Sequence, residues 1–385
     1  MTPVVHDRVL LALGLIGAVA ALYGGFLNSA PNRLAGSVAL PLQQAPLIEA
    51  AAVMAGLGAL TVLAFVAQVK WRCYATLLVA ALVLWASLSG AGHFATLLSS
   101  ASLPAARYSL GAAFWTLVAV ALLAMLDAMQ RVKLALAQRV GLVAGLCVGF
   151  VLMAQAGSFA DLSLAKEFSS HRAIFFSELG RHLALVGAAI FCALCMGVPL
   201  TALVLRKAKA RGLVFASLGI LQTIPSIALF GVLIAPLSAL SRDLPFLRDL
   251  GVGGTGPAPA IIALTLYSLL PLVRSSYTGL AEVAEDVKDA ALGMGFDARK
   301  LFFAVELPLA LPALLSGLRV VAIQAIGLAA VAALIGAGGL GAFVFQGVGQ
   351  YALDLVLVGA IPIILLALAA DFIFQMLIAS ARRRI

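Results

Sequence analysis

The chain has 385 residues, of which 63% are hydrophobic and only 11% charged, and its formal net charge is +9. That balance excludes an ordinary soluble domain and describes an integral membrane protein. The basic excess does not point to nucleic acid, because it is gathered into short segments between apolar runs.

A spanning helix needs about 20 apolar residues. Ten stretches qualify: 9–27, 46–68, 74–91, 109–126, 140–156, 182–205, 213–235, 258–275, 314–335 and 355–378. The first follows Arg8 and has a signal-peptide outline. Its apolar part is long, however, and Asn28-Ser29-Ala30 is a poor cleavage site, so it reads as a retained helix. Residues 1–156 form an N-terminal transmembrane block of about five spans that carries no chemical motif. Trp71 and Tyr74 stand where interfacial aromatics are expected, and the basic run to Arg139 marks a loop. Residues 157–181 read as a polar external hinge, with Phe159, Phe168 and Phe175 laying it on the membrane surface. His171 has no second His or Cys beside it and reads as a solvated side chain rather than a metal ligand. Cys192-Ala193-Leu194-Cys195 has redox-motif spacing but lies within a span, where the two cysteines serve as small buried hydrophobes.

A second block of five spans covers 182–378, followed by a basic tail, 379–385. Pro199 is expected to kink its first span, and Pro225 and Pro236 to bend or break the second. Thr223, Pro225, Ser226 and Tyr267 are candidates for a translocation pathway. The competing reading of these polar groups is helix–helix hydrogen bonding, and the sequence leaves both open.

Residues 278–313 contain the one long polar island of this half. Val283, Val287, Ala290, Ala291 and Met294 recur at helical spacing, and Glu282, Glu285, Asp286, Lys288 and Asp289 fill the rest of that surface. Gly295 breaks the pattern, Asp297 is placed to cap a second short helix, and Pro308 and Pro312 lack the amides a continuing helix would use. A helix–turn–helix displayed to water between two spans is shaped to dock into another protein. Beyond it, Arg319 and Asp371 lie within spans and are expected to pair or snorkel. Gly336-Ala337-Gly338-Gly339-Leu340-Gly341 matches a dinucleotide fingerprint in letters only, since an apolar span precedes it and the next acid, Asp354, comes too soon.

With the N-terminus inside the cell, seventeen Lys and Arg fall on inner segments and seven on outer ones. The positive-inside rule then puts the 278–313 loop and both termini in the cytoplasm.

Asp289-Ala290-Ala291, Gly295 and Val305-Glu306-Leu307-Pro308 together resemble the EAA loop of ABC importer permeases, with Asp for the usual Glu and Val for the usual Ile. Gln222-Thr223-Ile224-Pro225-Ser226, Leu266 to Arg274 and Gly336 to Gly341 extend the similarity to permeases of osmoprotectant importers for glycine betaine, choline or carnitine. The resemblance implies an all-α, type I, MetI-like permease core in the bacterial inner membrane, preceded here by an unusually long N-terminal block. It implies that Asp289, Ala290, Ala291, Met294, Gly295, Asp297, Arg299, Leu307 and Pro308 couple to a cytoplasmic ATPase. It further implies a second permease chain, a periplasmic binding protein that docks near Gly336, Gly338, Gly339 and Gly341, and an osmoprotectant as cargo. The chain has no Gly-Lys pair and hence no phosphate loop, so ATP-Mg is expected on the partner ATPase and no cofactor on this chain. No Ser-His-Asp set or paired carboxylates argue for an enzyme. An ion-driven carrier, which would want free intramembrane acids, is the alternative of another class, and sulfonate, methionine or phosphonate are the alternative cargoes.

Overall fold

The computed structural model describes residues 5–33, 35–67, 69–100, 105–132, 134–249 and 251–383. Lys133 and Arg384, both counted above as inner cations, lie outside them. The chain forms two compact units, Met1–Ser170 and His171–Ile385.

The first unit is built from α1 (Arg8–Tyr23), β1 (Gly25–Ala30), β2 (Val38–Pro41), α2 (Leu47–Leu63), α3 (Lys70–Ser100), β3 (Arg107–Leu110), α4 (Ala112–Val132), α5 (Leu136–Gln155) and α6 (Ser163–Ser170). α1 packs on α2 and α4, and α3 on α2 and α4, around Leu57, Leu60, Val83, Leu117 and Val120. The three strands pair in the order β2-β1-β3, all antiparallel, and join one end of the helices. This sheet departs from the all-helical expectation: α1 ends at Tyr23, and the next residues are extended and paired. Pairing satisfies backbone groups that the helix no longer covers.

At the opposite end, Asp7 is the N-cap of α1, its Oδ1 accepting from the Leu10 amide at 3.1 Å. The same carboxylate accepts from Arg72 on α3 and lies 3.3 Å from Arg131 of α4. Arg72, read from sequence as a loop cation, is instead a buried strut that also donates to the Val66 carbonyl at 3.0 Å.

The second unit comprises α7 (Arg172–Arg206), α8 (Ala208–Thr223), α9 (Ser226–Asp243), α10 (Pro245–Asp249), α11 (Pro257–Ala281), α12 (Glu285–Gly293), α13 (Ala298–Leu301), α14 (Leu307–Val331), α15 (Gly341–Gly349) and α16 (Leu353–Arg382). Among the described residues eight helices are long and apolar enough to cross a membrane, and the shorter α1 and α2 bring the crossings to ten. The fold is that of a mostly helical integral membrane protein, with five crossings to each unit and one three-stranded sheet in the first.

α11 is the axis of the second unit, packed against α7 and α14. Small residues allow the approach: a Cβ on Gly317 would stand 2.4 Å from that of Ser275, and one on Gly279 2.7 Å from that of Ala313. His182 is fully buried and its Nε2 lies 3.1 Å from the Ile326 carbonyl, binding α7 to α14.

Two features differ from the sequence reading, and Pro199 leaves its helix unbroken. The supposed hinge is largely helical, since Ser163–Ser170 is α6 and Arg172 onward is the start of the 35-residue α7. Its polar residues are not all at the surface: Ser163 and Glu167 are buried, and Arg33 lies 3.1 Å from the Glu167 carboxylate. α7 runs through Pro199, because losing one amide bond leaves the rest of a long, packed helix intact. Cys192 is only half-buried and Cys195 is exposed, on the outer surface of α7 rather than in a core. In an apolar solvent both faces of a helix are apolar, and hydropathy does not distinguish them.

Candidate functional site

The polar island folds as a compact loop between α11 and α14. Glu285 and Asp286 occupy the first turn of α12, the favourable end of its dipole for acids. The helix stops at Gly293, and Gly295 follows with φ +84°, a left-handed conformation that glycine enters without a Cβ penalty. Asp297 caps α13, its Oδ1 accepting the Lys300 amide at 2.7 Å, as its position predicts. Lys288 lies 3.0 Å from Glu285 and 3.9 Å from Glu306, stapling α12 to the far side of the loop. Lys300 lies 4.2 Å over the Phe296 ring.

α13 does not end before Pro308. A π-helical turn, Phe302–Glu306, carries it directly into α14, with the Leu307 amide donating to the Phe302 carbonyl. The extra residue in that turn widens the helix just ahead of Pro308, where an α-helical register would set the ring against a carbonyl. The loop is thus continuous with a membrane-crossing helix.

The sequence-predicted residues divide into two sets. Asp289, Ala290, Met294, Gly295, Asp297, Arg299 and Pro308 are exposed, and Leu307 is half-buried. Ala291 is 1% exposed and packs within its own chain, so it does not present a surface to a partner. The apolar surface the loop does present consists of Val287, Leu292, Met294 and Phe303, with Met294 70% exposed. Leu292 and Phe303 escaped the sequence reading because one lies off the chosen helical face and the other beyond the turn. Gly295, Asp297, Arg299, Lys300 and Phe303 line an open groove beside this surface. Behind the loop, Arg206, Arg211, Tyr277, Lys288 and Glu306 line a cavity, with the Arg211 guanidinium 4.6 Å over the Tyr277 ring.

The second candidate cluster lies at the break between α8 and α9. Ile224 and Pro225 are extended, so the predicted span 213–235 is two half-helices, and Pro236 sits inside α9 without breaking it. Tyr267, buried on α11, donates its hydroxyl to the Ile224 carbonyl freed by the break. In return Gln222 Nε2 donates to the Tyr267 carbonyl at 2.9 Å. Tyr267 therefore makes the helix–helix bond. Thr223 is exposed and bonds back to Ile220 at 2.7 Å, while Pro225 is exposed and Ser226 half-buried.

At the end of the unit opposite the loop, Gly336, Gly338 and Gly339 all have positive φ. Glu178 of α7 accepts the Gly339 amide, and a Cβ at Gly339 would crowd the His182 ring at 3.1 Å. Gly339 and Gly341 are buried, Gly338 is half-buried against Arg181, and Gly336 is exposed. Within the span region, Arg319 Nε lies 2.5 Å from Asp371 Oδ1, and Gln375 Nε2 donates to Oδ2 at 2.6 Å.

Residues 186–383 match the family model described as the binding-protein-dependent transport system inner membrane component. Residues 7–165 match that of the N-terminal domain of the ABC transporter permease YehY. A carnitine transport permease protein, OpuCB, of Listeria monocytogenes is 35% identical over 51% of this chain and 87% of its own length. An osmoprotectant import permease protein, OsmW, of Salmonella typhimurium is 36% identical over 51% of this chain and 86% of its own. Among solved structures, an inward-facing MetNI methionine ABC transporter chain aligns with 22% identity and TM-score 0.47, over 55% of this chain and 98% of that one.

Proposed function

The chain belongs to the family of binding-protein-dependent transport system inner membrane components, and on that premise we propose that it forms the translocation pathway of an ATP-driven importer of glycine betaine or related osmoprotectants. The observation that carries this reading is the loop 282–306: two short helices about a left-handed Gly295, with Val287, Leu292, Met294 and Phe303 turned outward. An exposed apolar knob with a charged rim, built on the end of a crossing helix, is the form of a docking element. Its occupant is the cleft of a cytoplasmic ATPase, with Asp289, Asp297 and Arg299 at the rim. ATP-Mg binds to that partner, and this chain has no nucleotide site of its own.

Two permease chains, identical or paralogous, enclose the pathway, and closure of the two ATPases draws their loops together. The break at Thr223, Pro225 and Ser226, exposed at the first two and half-buried at the third, is the part of α8–α9 that faces the pathway. An extracytoplasmic binding protein delivers the solute, and both chain termini are cytoplasmic. In function, 1–156 precedes the permease core 182–378, with 157–181 a largely helical connection between them and 379–385 a basic tail. Betaine-type cargo is favoured over sulfonate, methionine or phosphonate by the carnitine and osmoprotectant permeases among the relatives. An ion-driven carrier is disfavoured because Asp371, the acid it would use, is already paired with Arg319.

The test is uptake of radiolabelled glycine betaine into vesicles holding the chain, its ATPase and its binding protein. Gly295→Asp should abolish ATP-dependent uptake while the chain remains inserted, because an Asp side chain enters the rim and the left-handed backbone is strained. Normal uptake by that variant removes the coupling assignment. Competition by unlabelled methionine or taurine, but not by choline or carnitine, replaces the cargo.

A further inference from the structure

The glycine-rich turn lies at the foot of the short helix that follows it, with Gly339 and Gly341 buried. α15 packs antiparallel on α16: a Cβ on Gly347 would lie 2.6 Å from the Val356 amide, and one on Gly359 2.6 Å from the Leu340 carbonyl. The outermost point of this corner is therefore the turn joining the two helices, at the opposite end of the 30-residue α16 from Arg382. That turn is a complete Schellman motif. The Ala352 amide donates to the Gly347 carbonyl at 2.8 Å and the Tyr351 amide to the Val348 carbonyl at 3.2 Å. The left-handed position of this motif usually belongs to glycine, yet here it holds Tyr351, with φ 54°.

Tyr351 alone among the described non-glycine residues has positive φ. A bulky side chain is unfavourable there. The ring recovers nothing within its own chain, since it is 97% exposed. Strain held at a position where glycine would be relaxed, with an aromatic ring extended from a rigid corner, marks a contact made to something else. Around it stand Gln346, Val348, Gly349, Gln350 and Leu353, all exposed and none charged. An aromatic anchor ringed by amides and small apolar groups has the composition of a protein interface centre.

We propose that the Tyr351 corner, rather than the glycine-rich turn, is the anchor on which the extracytoplasmic solute-binding protein docks. This rests on the importer reading above. A solute cation is a poorer occupant, because one fully exposed ring raises cation affinity only about two- to five-fold and no second ring completes a cage. Lipid is poorer as well, because an interfacial aromatic anchors equally well from an unstrained helix. The corner is also the surface that α14 and α16 carry farthest from the ATPase loop.

The experiment uses the assembled transporter in lipid nanodiscs, titrated with its purified extracytoplasmic binding protein loaded with glycine betaine. The reading is the binding-protein concentration giving half-maximal ATPase stimulation, together with thermal stability. Tyr351→Gly should raise that concentration about ten-fold or more, the loss expected of an aromatic anchor, with stability unchanged or higher because the backbone is relaxed. Tyr351→Phe, which keeps the ring, should stay within about three-fold of the parent. A Tyr351→Gly transporter that titrates like the parent overturns the proposal, as does one whose only change is a fall in stability. If the parent itself is not stimulated by any concentration of the binding protein, the importer reading fails and this proposal with it.

Discussion

The Arg319–Asp371 pair joins α14 to α16, and its removal gives a sharp test of how this fold holds charge at membrane depth. At 1.5 Å per residue Arg319 lies about 18 Å along α14 from Leu307, and Asp371 about 17 Å from Arg382. Measured from the inner ends of the spans 314–335 and 355–378, they lie about 8 and 11 Å into a hydrocarbon core of about 30 Å. A lone Arg or Asp near the middle of a span costs about 2.5–3.5 kcal/mol on the insertion scale, and breaking a fully buried pair costs about 3–5 kcal/mol. These side chains are 34% and 26% exposed, which lowers the expected loss to about 2–3 kcal/mol for Asp371→Leu or Arg319→Met alone. The double variant removes both charges together and should lose no more than about 1 kcal/mol. Unfolding free energies from denaturant titration in micelles, set out as a double-mutant cycle, should give a coupling of at least about 3 kcal/mol. Losses that add within about 0.5 kcal/mol would refute the pairing argument. The double variant should also keep ATP-dependent uptake, which a proton-carrying Asp371 would not permit.

Three further outcomes follow from the same geometry. Asp7→Asn leaves Arg72 buried beside an uncharged amide and should destabilise the N-terminal unit by about 3–5 kcal/mol, read as faster amide exchange in α1, α3 and α4. Tyr267→Phe strands the Ile224 carbonyl at the α8–α9 break and should cost about 1–3 kcal/mol in the same denaturant titration. Gly341→Val places a Cβ 1.9 Å from the Ala330 carbonyl oxygen and should abolish a monodisperse peak on size-exclusion chromatography, whereas Gly187→Ala, with open space around it, should leave the peak unchanged.

Much of this architecture is legible in the sequence because the bilayer enforces it. A crossing needs a long apolar run, and the loops between crossings are where charge is affordable. Hence the ten crossings, the break at Pro225 and the Asp297 cap emerge from composition and spacing. Three things do not. The sheet of β1, β2 and β3 is built from short segments such as Gly25–Ala30, whose apolar letters continue the preceding helix. The facing of a span is hidden because lipid and core are equally apolar, so Cys195 reads as buried although it is exposed; Ala291 lies in the loop, where so small a side chain does not tell a packed face from a presented one. The Asp7–Arg72–Arg131 cluster joins residues far apart in the chain, and each alone reads as a loop charge.

The candidate loop was the most legible element, since its helix–turn–helix signals are local. What the sequence concealed is how it is attached. Pro308 and Pro312 suggest a stop, but the π turn at Phe302–Glu306 makes α13 and α14 one continuous rod. Lys288 then ties α12 to Glu306 at the base of that rod. A push on α12 therefore arrives at α14 without passing through a slack linker. From α14 it reaches α7 through His182 on the Ile326 carbonyl, and α16 through Arg319 on Asp371. α8 is differently placed: Leu218 is its one buried residue, and it meets α11 through the reciprocal clasp at its end and through Arg211 and Phe215 on the Tyr277 ring. Packed elements move as a body and a break absorbs the rotation. α7, α11, α14 and α16 are thus expected to move together when the loop is driven, with the change in backbone angle falling at Ile224 and Pro225.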